Sequence, residues 1–337
     1  MTDGTPALSI LICDRRVPAT AGTRSIAALT LEAMGHRVAM GADGPIDDLA
    51  SYDVLLLWGT PGYFPRLRRQ LRKAPRGARP LVAVLHAEPL PPPKASGLPR
   101  WSPLNAAEIA KILLRDWRAT DIYTNAFTLR RMMREGTIDL LFPMSLEKLE
   151  YLQERGYEAW HIPYGYHARQ GRLLGLDRDI DVLFLGDRRP RRRRRALAYL
   201  AAAGLEVTVR GSWHDPGLWG DRRIELLNRT KVVVHLQRYP GKLAAQRFFL
   251  AMANGALVVS EPIYKPAPFV PGEHFLMTPL EQMPAALRYV LEHPAERERI
   301  AGAAHRLITR ELTFEASMRA MMDVIVSRLS GRRARAR

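Results

Sequence analysis

The sequence reads as an α/β protein made of two doubly wound, parallel-sheet domains facing each other across a cleft. Three observations predict this. Strand-length apolar runs alternate with helix-length segments throughout, the pattern of parallel sheets covered by helices. The series restarts once, after a connector punctuated by Pro163, Gly165, Gly171 and Gly175. A chain of 337 residues, 47% of them hydrophobic, can fill two Rossmann-like cores of about 150 residues each.

Taken in order, the first series offers strands at 8–13, 36–40, 53–58, 81–86, 122–124 and 140–142, with helices at 23–34 and 105–115. A basic helix begins at Arg66, and the proline-rich segment 89–103 reads as an ordered loop or lid. The second series offers strands at 181–185, 206–210, 232–236 and 257–260, and helices at 191–203, 243–253, 284–292 and 295–311. The expected division is a first domain over 1–160, a crossover over 161–179 and a second domain over 180–310. A helix over 311–329, able to return to the first domain, precedes a disordered basic tail over 330–337.

A single cysteine, Cys13, excludes an intrachain disulfide framework and a cysteine zinc site, and it favours a reducing compartment. The sequence from Met1 lacks a basic region followed by an apolar run, so no secretory signal is expected. No run approaches the ~18 apolar residues of a spanning helix. These features favour a soluble, cytoplasmic protein. The net charge of +17 is concentrated in three acid-free segments: Arg66 to Arg79 and Arg188 to Arg195 hold seven basic residues each, and Arg328 to Arg337 five. That distribution points to anionic partners at defined places.

Ligands of doubly wound sheets bind outside the carboxyl ends of the strands, so the loops after strands hold the candidates. From 232 to 260 a buried strand runs into a loop, a helix through Arg247, the helix terminator Asn254-Gly255 and a further strand delivering Glu261. A helix starting at a strand's carboxyl end aims its amides and positive dipole at the crevice, where a phosphate can sit. Lys242 and Arg247 could add charge-assisted bonds to a diphosphate, Glu261 could accept from sugar hydroxyls, and His235 and Gln237 could line a nucleotide pocket. A plain α/β unit with Arg247 as a solvated charge is the competing reading.

Here the sequence resembles the CgeB-like (spore-maturation type) glycosyltransferases of the group 1 class. Arg247-Phe-Phe-Leu-Ala-Met-Ala-Asn-Gly-Ala is similar to their Arg-x-Phe-Glu-Ala-x-Ala-x-Gly-Ala stretch. Asp181-Val-Leu-Phe-Leu-Gly186, Val209-Arg-Gly-Ser-Trp213, Lys231-Val-Val-Val-His235, Val270-Pro-Gly-Glu273 and Leu312-Thr-Phe-Glu315 follow in the family's order. Leu141-Phe-Pro-Met-Ser145 and His161-Ile-Pro-Tyr-Gly165 fit the end of its first domain and the crossover. The resemblance covers roughly 139–325. It implies a GT-B architecture, a nucleotide-sugar donor held by the second domain, an acceptor held by the first, and no metal or other cofactor. It also implies that the turns at Gly186 and Gly211 face the donor and that Arg188 or Arg191 neutralises its phosphate. Retaining relatives carry Glu-x7-Glu in the helix region, whereas this chain has Lys242 and Leu250.

In the first half, His86 and Asp14 are the candidate bases at strand ends, since an imidazole titrates near neutrality. Gly22, Thr23 and Glu88 are candidates for an acceptor or phosphate loop. The Arg66 to Arg79 helix, with Leu67 and Leu71 on one face, and the C-terminal tail could meet an anionic membrane surface. Nucleic acid is disfavoured, because no recognised binding motif or stacking pattern accompanies the arginines. The reading is a metal-independent transfer of a sugar from a nucleoside diphosphate to a hydroxyl of a glycan, a lipid-linked molecule or a protein. A catalytically silent binding or assembly protein and a nucleotide-sugar epimerase are the alternatives.

Overall fold

The computed structural model describes residues 7–14, 23–98, 122–211 and 220–336, with 110, 114 and 218 as single positions. The chain divides into two units. Unit 1 holds the residues up to Pro163 and those from Ser317 onward; unit 2 runs from Tyr164 to Ala316.

Unit 1 is built on β1 (Ser9–Asp14), β2 (Arg37–Gly41), β3 (Val54–Gly59), β4 (Leu81–His86) and β5 (Leu140–Pro143). Every pairing is parallel, in the order β2-β1-β3-β4-β5. All six residues of β3 and of β4 are buried, as central parallel strands covered on both faces require. Helices α1 (Thr23–Ala33), α2 (Pro65–Lys73), α3 (Ile122–Arg134) and α4 (Leu146–Gln153) join them.

Three readings of this half are corrected. The expected strand at 122–124 is the first turn of α3. Its Ile-Tyr-Thr start is β-prone, but Ile122, Leu129 and Met132 bury one helical face, and that period decides. The basic helix ends at Lys73, and Leu67 and Leu71 lie inside the core, so α2 has no apolar face to offer a membrane. Arg79, at the end of that basic segment, is buried and donates to Asp139 (3.0 Å) and Gly136 O (2.8 Å). In the proline-rich segment Leu90 to Pro93 are buried, while residues 99–103 of it, and the expected helix at 105–115 apart from 110 and 114, lie outside the described residues.

Unit 2 carries β6 (Ile180–Leu185), β7 (Thr208–Arg210), β8 (Thr230–His235), β9 (Leu257–Ser260) and β10 (Leu276–Met277). They are again all parallel, in the order β10-β9-β8-β6-β7. Counted from its own first strand, this sheet has the same order as the sheet of unit 1. Its helices are α5 (Arg191–Ala202), α6 (Asp221–Asn228), α7 (Ala245–Ala253), α8 (Met283–Glu292) and α9 (Pro294–Arg310). In both sheets the order reverses beside the first strand, and that switch point is where such sheets open a crevice.

The last helix, α10 (Phe314–Ala336), starts in unit 2 and ends in unit 1. The tail from 330 therefore continues a helix through Ala336 instead of being disordered. Arg332 pairs with Asp139, and Arg328 with Glu158 at 2.5 Å, so these two cations are committed within unit 1. Asp139 also accepts the Val82 amide at 2.8 Å and thus ties β4, Arg79 and α10 together. Asp139→Ala would strand the buried Arg79 guanidinium. Chemical denaturation should show a loss of about 3–5 kcal/mol, the range for breaking a buried pair from one side.

Candidate active site

In unit 2 the crevice end of the sheet is crowded with guanidinium groups. Gly186, directly after β6, has φ +152°, and a Cβ there would lie 3.0 Å from Arg247 Nη2. Glycine is needed because the Arg247 side chain lies against the backbone. Gly211, after β7, has φ +89° and backs onto the amide of Gly186, so the two turns are adjacent. The Phe184 ring, one turn of chain earlier, has the Arg193 guanidinium 5.5 Å and the Arg247 guanidinium 5.9 Å from its centroid.

Helix α5 supplies two of these cations. Arg193 shares its buried face with Ala196 and Leu200, and donates to Leu236 O and Asp187 O at 3.0 Å each. Arg192 donates to Gln237 O (2.9 Å) and Glu261 Oε2 (2.7 Å). Glu261 is the carboxylate of this cluster: 2% exposed, it also accepts the Gln237 amide at 2.7 Å. Gln237 knits the loop after β8 to the loop after β9, donating to Pro262 O and accepting the Gly241 amide.

Burial, reinforced by the Arg193 charge, pushes Arg247 down to about 9. Arg193 is pushed down to about 10, again first by burial and then by Arg238. The Nη1 of Arg247 is buried without a protein partner. Helix α7, which carries Arg247, begins after Ala244 with no side-chain cap and no acid in its first turn, so its amide dipoles add positive potential. A buried cation with unmet donors is stabilised by an anion brought against it.

The structure thus brings together Gly186, Gly211 and Arg247. It leaves Arg188 and Arg191 exposed and turns Arg192 and Arg193 inward in their place. Three further roles are corrected. Glu261 spends its carboxylate on Arg192 and a backbone amide, which removes it as an acceptor for sugar hydroxyls. Gln237 is buried with its amide committed to backbone. His235 is buried edge-on to Phe248 and bonds Ser260 Oγ at 2.9 Å; burial, then Arg247, holds its ring neutral. Lys242 is half-buried in the loop just before α7.

In unit 1, Asp14 ends β1, half-buried, opposite Trp58 of β3. Thr23 opens α1, while Gly22 lies outside the described residues. Glu88 accepts the Tyr63 hydroxyl at 2.7 Å. His86 is fully buried, and burial together with the Lys148 charge pushes its ring down to about 3. Burial keeps this ring neutral and away from solvent, which weighs against the general-base role the sequence suggested. Neither ring nitrogen has a protein partner, and the same holds for Thr60 Oγ1 and Ser145 Oγ at the neighbouring strand ends. Buried Lys148 donates to Ala87 O at 2.6 Å beside them. Among the described residues, no group of three or more His, Cys, Asp or Glu side chains could hold a metal ion, and no helix is long and apolar enough to cross a membrane.

Comparison with known proteins bears on the fold. Residues 189–323 match the family model described as glycosyl transferase-like. No curated protein matches the chain. Among solved structures, sucrose-phosphate synthase from Thermosynechococcus elongatus is 14% identical, with a TM-score of 0.64, over 96% of this chain and 100% of that one. Anabaena Alr3699/HepE in complex with UDP and glucose is 12% identical, TM-score 0.64, over 95% and 100%. AviGT4, a glycosyltransferase involved in avilamycin A biosynthesis, is 16% identical, TM-score 0.58, over 96% and 98%. The fold is therefore the two-half, Rossmann-like α/β architecture of GT-B glycosyltransferases.

The His86 environment has a pH consequence. The unfolded ring protonates near 6.5, whereas the folded ring stays neutral to about 3. Below 6.5 the unfolded state binds the extra proton, so this residue's contribution to stability falls as pH falls towards 3 and is level above 6.5. The slope approaches about 1.4 kcal/mol per pH unit. Buried His235 adds a slope of the same sign, so urea denaturation across pH 7 to 4 should show at least this slope, and His86→Gln should reduce it by about 1.4 kcal/mol per pH unit.

Proposed function

We propose that the chain is a glycosyltransferase that moves a sugar from a nucleoside diphosphate to an acceptor hydroxyl, with the diphosphate held at the crevice of unit 2. The observation that carries this is the buried, unpartnered Nη1 of Arg247, set against Gly186 and beside the uncapped start of α7. Arg192, Arg193 and Arg247 face two carboxylates there, Glu261 and Asp187, and Asp187 is also bonded by Arg189, which leaves an excess of positive charge that a diphosphate would balance.

Breaking the bond between the anomeric carbon and the phosphate oxygen leaves negative charge on the departing diphosphate. Arg193, fixed by the carbonyls of Leu236 and Asp187, and Arg247, set over the Phe184 ring, are already in place to receive it, and such preorganised charge is the main catalytic lever available. In this reading cationic side chains do the neutralising that a metal does elsewhere. The HepE relative holds UDP and glucose, which makes a uridine donor the first candidate. Acceptor recognition is assigned to unit 1, with Asp14 as the remaining group there able to take a proton. The CgeB-like resemblance, a lipid-linked or glycan acceptor and a cytoplasmic setting belong to the same proposal.

One observation favours a second reading. The glutamate pair of retaining relatives is Lys242 and Leu250 here, and Glu261 is too committed to replace it. A protein that binds the nucleotide sugar without turning it over would have this composition.

The test is thermal stabilisation by a panel of nucleoside diphosphates and their sugars. Saturating UDP, at about a hundred times its dissociation constant, should stabilise the wild type by ~2.7 kcal/mol, and Arg247→Ala should abolish the shift. No shift with any nucleotide would overturn both readings. A shift with UDP-sugar but no UDP release in the presence of acceptors would select the second.

A further inference from the structure

The seven-cation segment that begins at Arg66 is not accounted for by the donor site, and the structure places its helix beside α3. On α2, Leu67 and Leu71 point into the core. Arg66, Arg69, Arg72 and Lys73 are exposed on the opposite side. Arg68 reaches from α2 to Glu135, just past the end of α3, with Nε 2.6 Å from the carboxylate, so the two helices are neighbours.

Helix α3 continues the cationic surface and adds what α2 lacks. Phe127, Arg130, Arg131 and Arg134 recur at helical spacing on one face, and all four are exposed; Phe127 is 62% exposed. Neither helix contains an acidic residue. Two acids nearby are already used: Glu135 by Arg68 and Arg131, and Asp43 by the amides of Arg66 and Leu67. The result is a surface of long cationic side chains with one projecting aromatic ring.

We propose that the joint α2–α3 face of unit 1 is a docking surface for an anionic lipid bilayer, with Phe127 entering the headgroup region among the arginines. Charge complementarity selects the partner: unpaired Lys and Arg are attracted to an anionic leaflet, and an aromatic ring among them gains from burial at the acyl boundary. Two side-by-side helices offer projecting rods. A single-stranded nucleic acid is held instead in a groove that tracks its backbone. The assignment does not depend on the donor reading.

The experiment is co-sedimentation of the full chain with vesicles of phosphatidylcholine containing about 30% phosphatidylglycerol. Wild type should bind these, should not bind pure phosphatidylcholine, and should be released as salt rises to about 0.5 M. The variant Arg69→Gln/Arg72→Gln/Lys73→Gln should lose affinity on the order of a hundredfold, at roughly fivefold per cation. Phe127→Ser should lose it severalfold at unchanged salt dependence. Arg130→Gln/Arg134→Gln provides a second charge variant should the triple one not fold, as judged by circular dichroism. The proposal is overturned by equal binding of wild type and both charge variants, by no binding to anionic vesicles, or by binding to an oligonucleotide with none to vesicles.

Discussion

The feature on which the rest of unit 2 depends is the packing of like charges at one strand end. Arg192, Arg193 and Arg247 are held close around His235, a costly arrangement that each neighbouring element helps to sustain. Backbone carbonyls at 187, 236 and 237 absorb part of the positive charge. The Phe184 ring offers its face to two of the guanidiniums, and Glu261 is drawn out of solvent to balance a third. Gly186 suits a backbone at φ +152° where a side chain would be strained and its Cβ would sit tight against Arg247 Nη2. The remainder is the buried Nη1 of Arg247, which no protein group satisfies.

Unit 1 repeats the topology with mostly neutral polar groups at its strand ends. There the buried groups are a neutral imidazole and hydroxyls, with one lysine ammonium bonded to a carbonyl. A shared strand order therefore says little about what each half binds, and the side chains at the strand ends decide it.

Most of the strands were legible because parallel central strands are apolar along their whole length, as 54–59 and 81–86 show. The miss at Ile122 came from weighting three β-prone residues above the helical period of Leu129 and Met132. Arg193 could have been found from the sequence, since it stands three residues before Ala196 and seven before Leu200, the apolar face of its helix. The tasks of Glu261 and Gln237 could not, because they arise where two loops fold onto each other. The tail misled by composition: arginine and alanine read as solvent-loving, yet both are strong helix formers, and Arg332 finds Asp139.

That last contact has a consequence for how the protein is made. Unit 1 is discontinuous, its final helix being encoded after the whole of residues 164–316. During synthesis at about 5–20 residues per second, Asp139 must wait roughly 10–40 seconds for Arg332 to be made. Unit 2, continuous in sequence, can close in that interval. Vectorial synthesis thus lets the inserted half fold before the half that surrounds it in sequence, and any chain released short of residue 332 leaves the first unit without its closing ion pair.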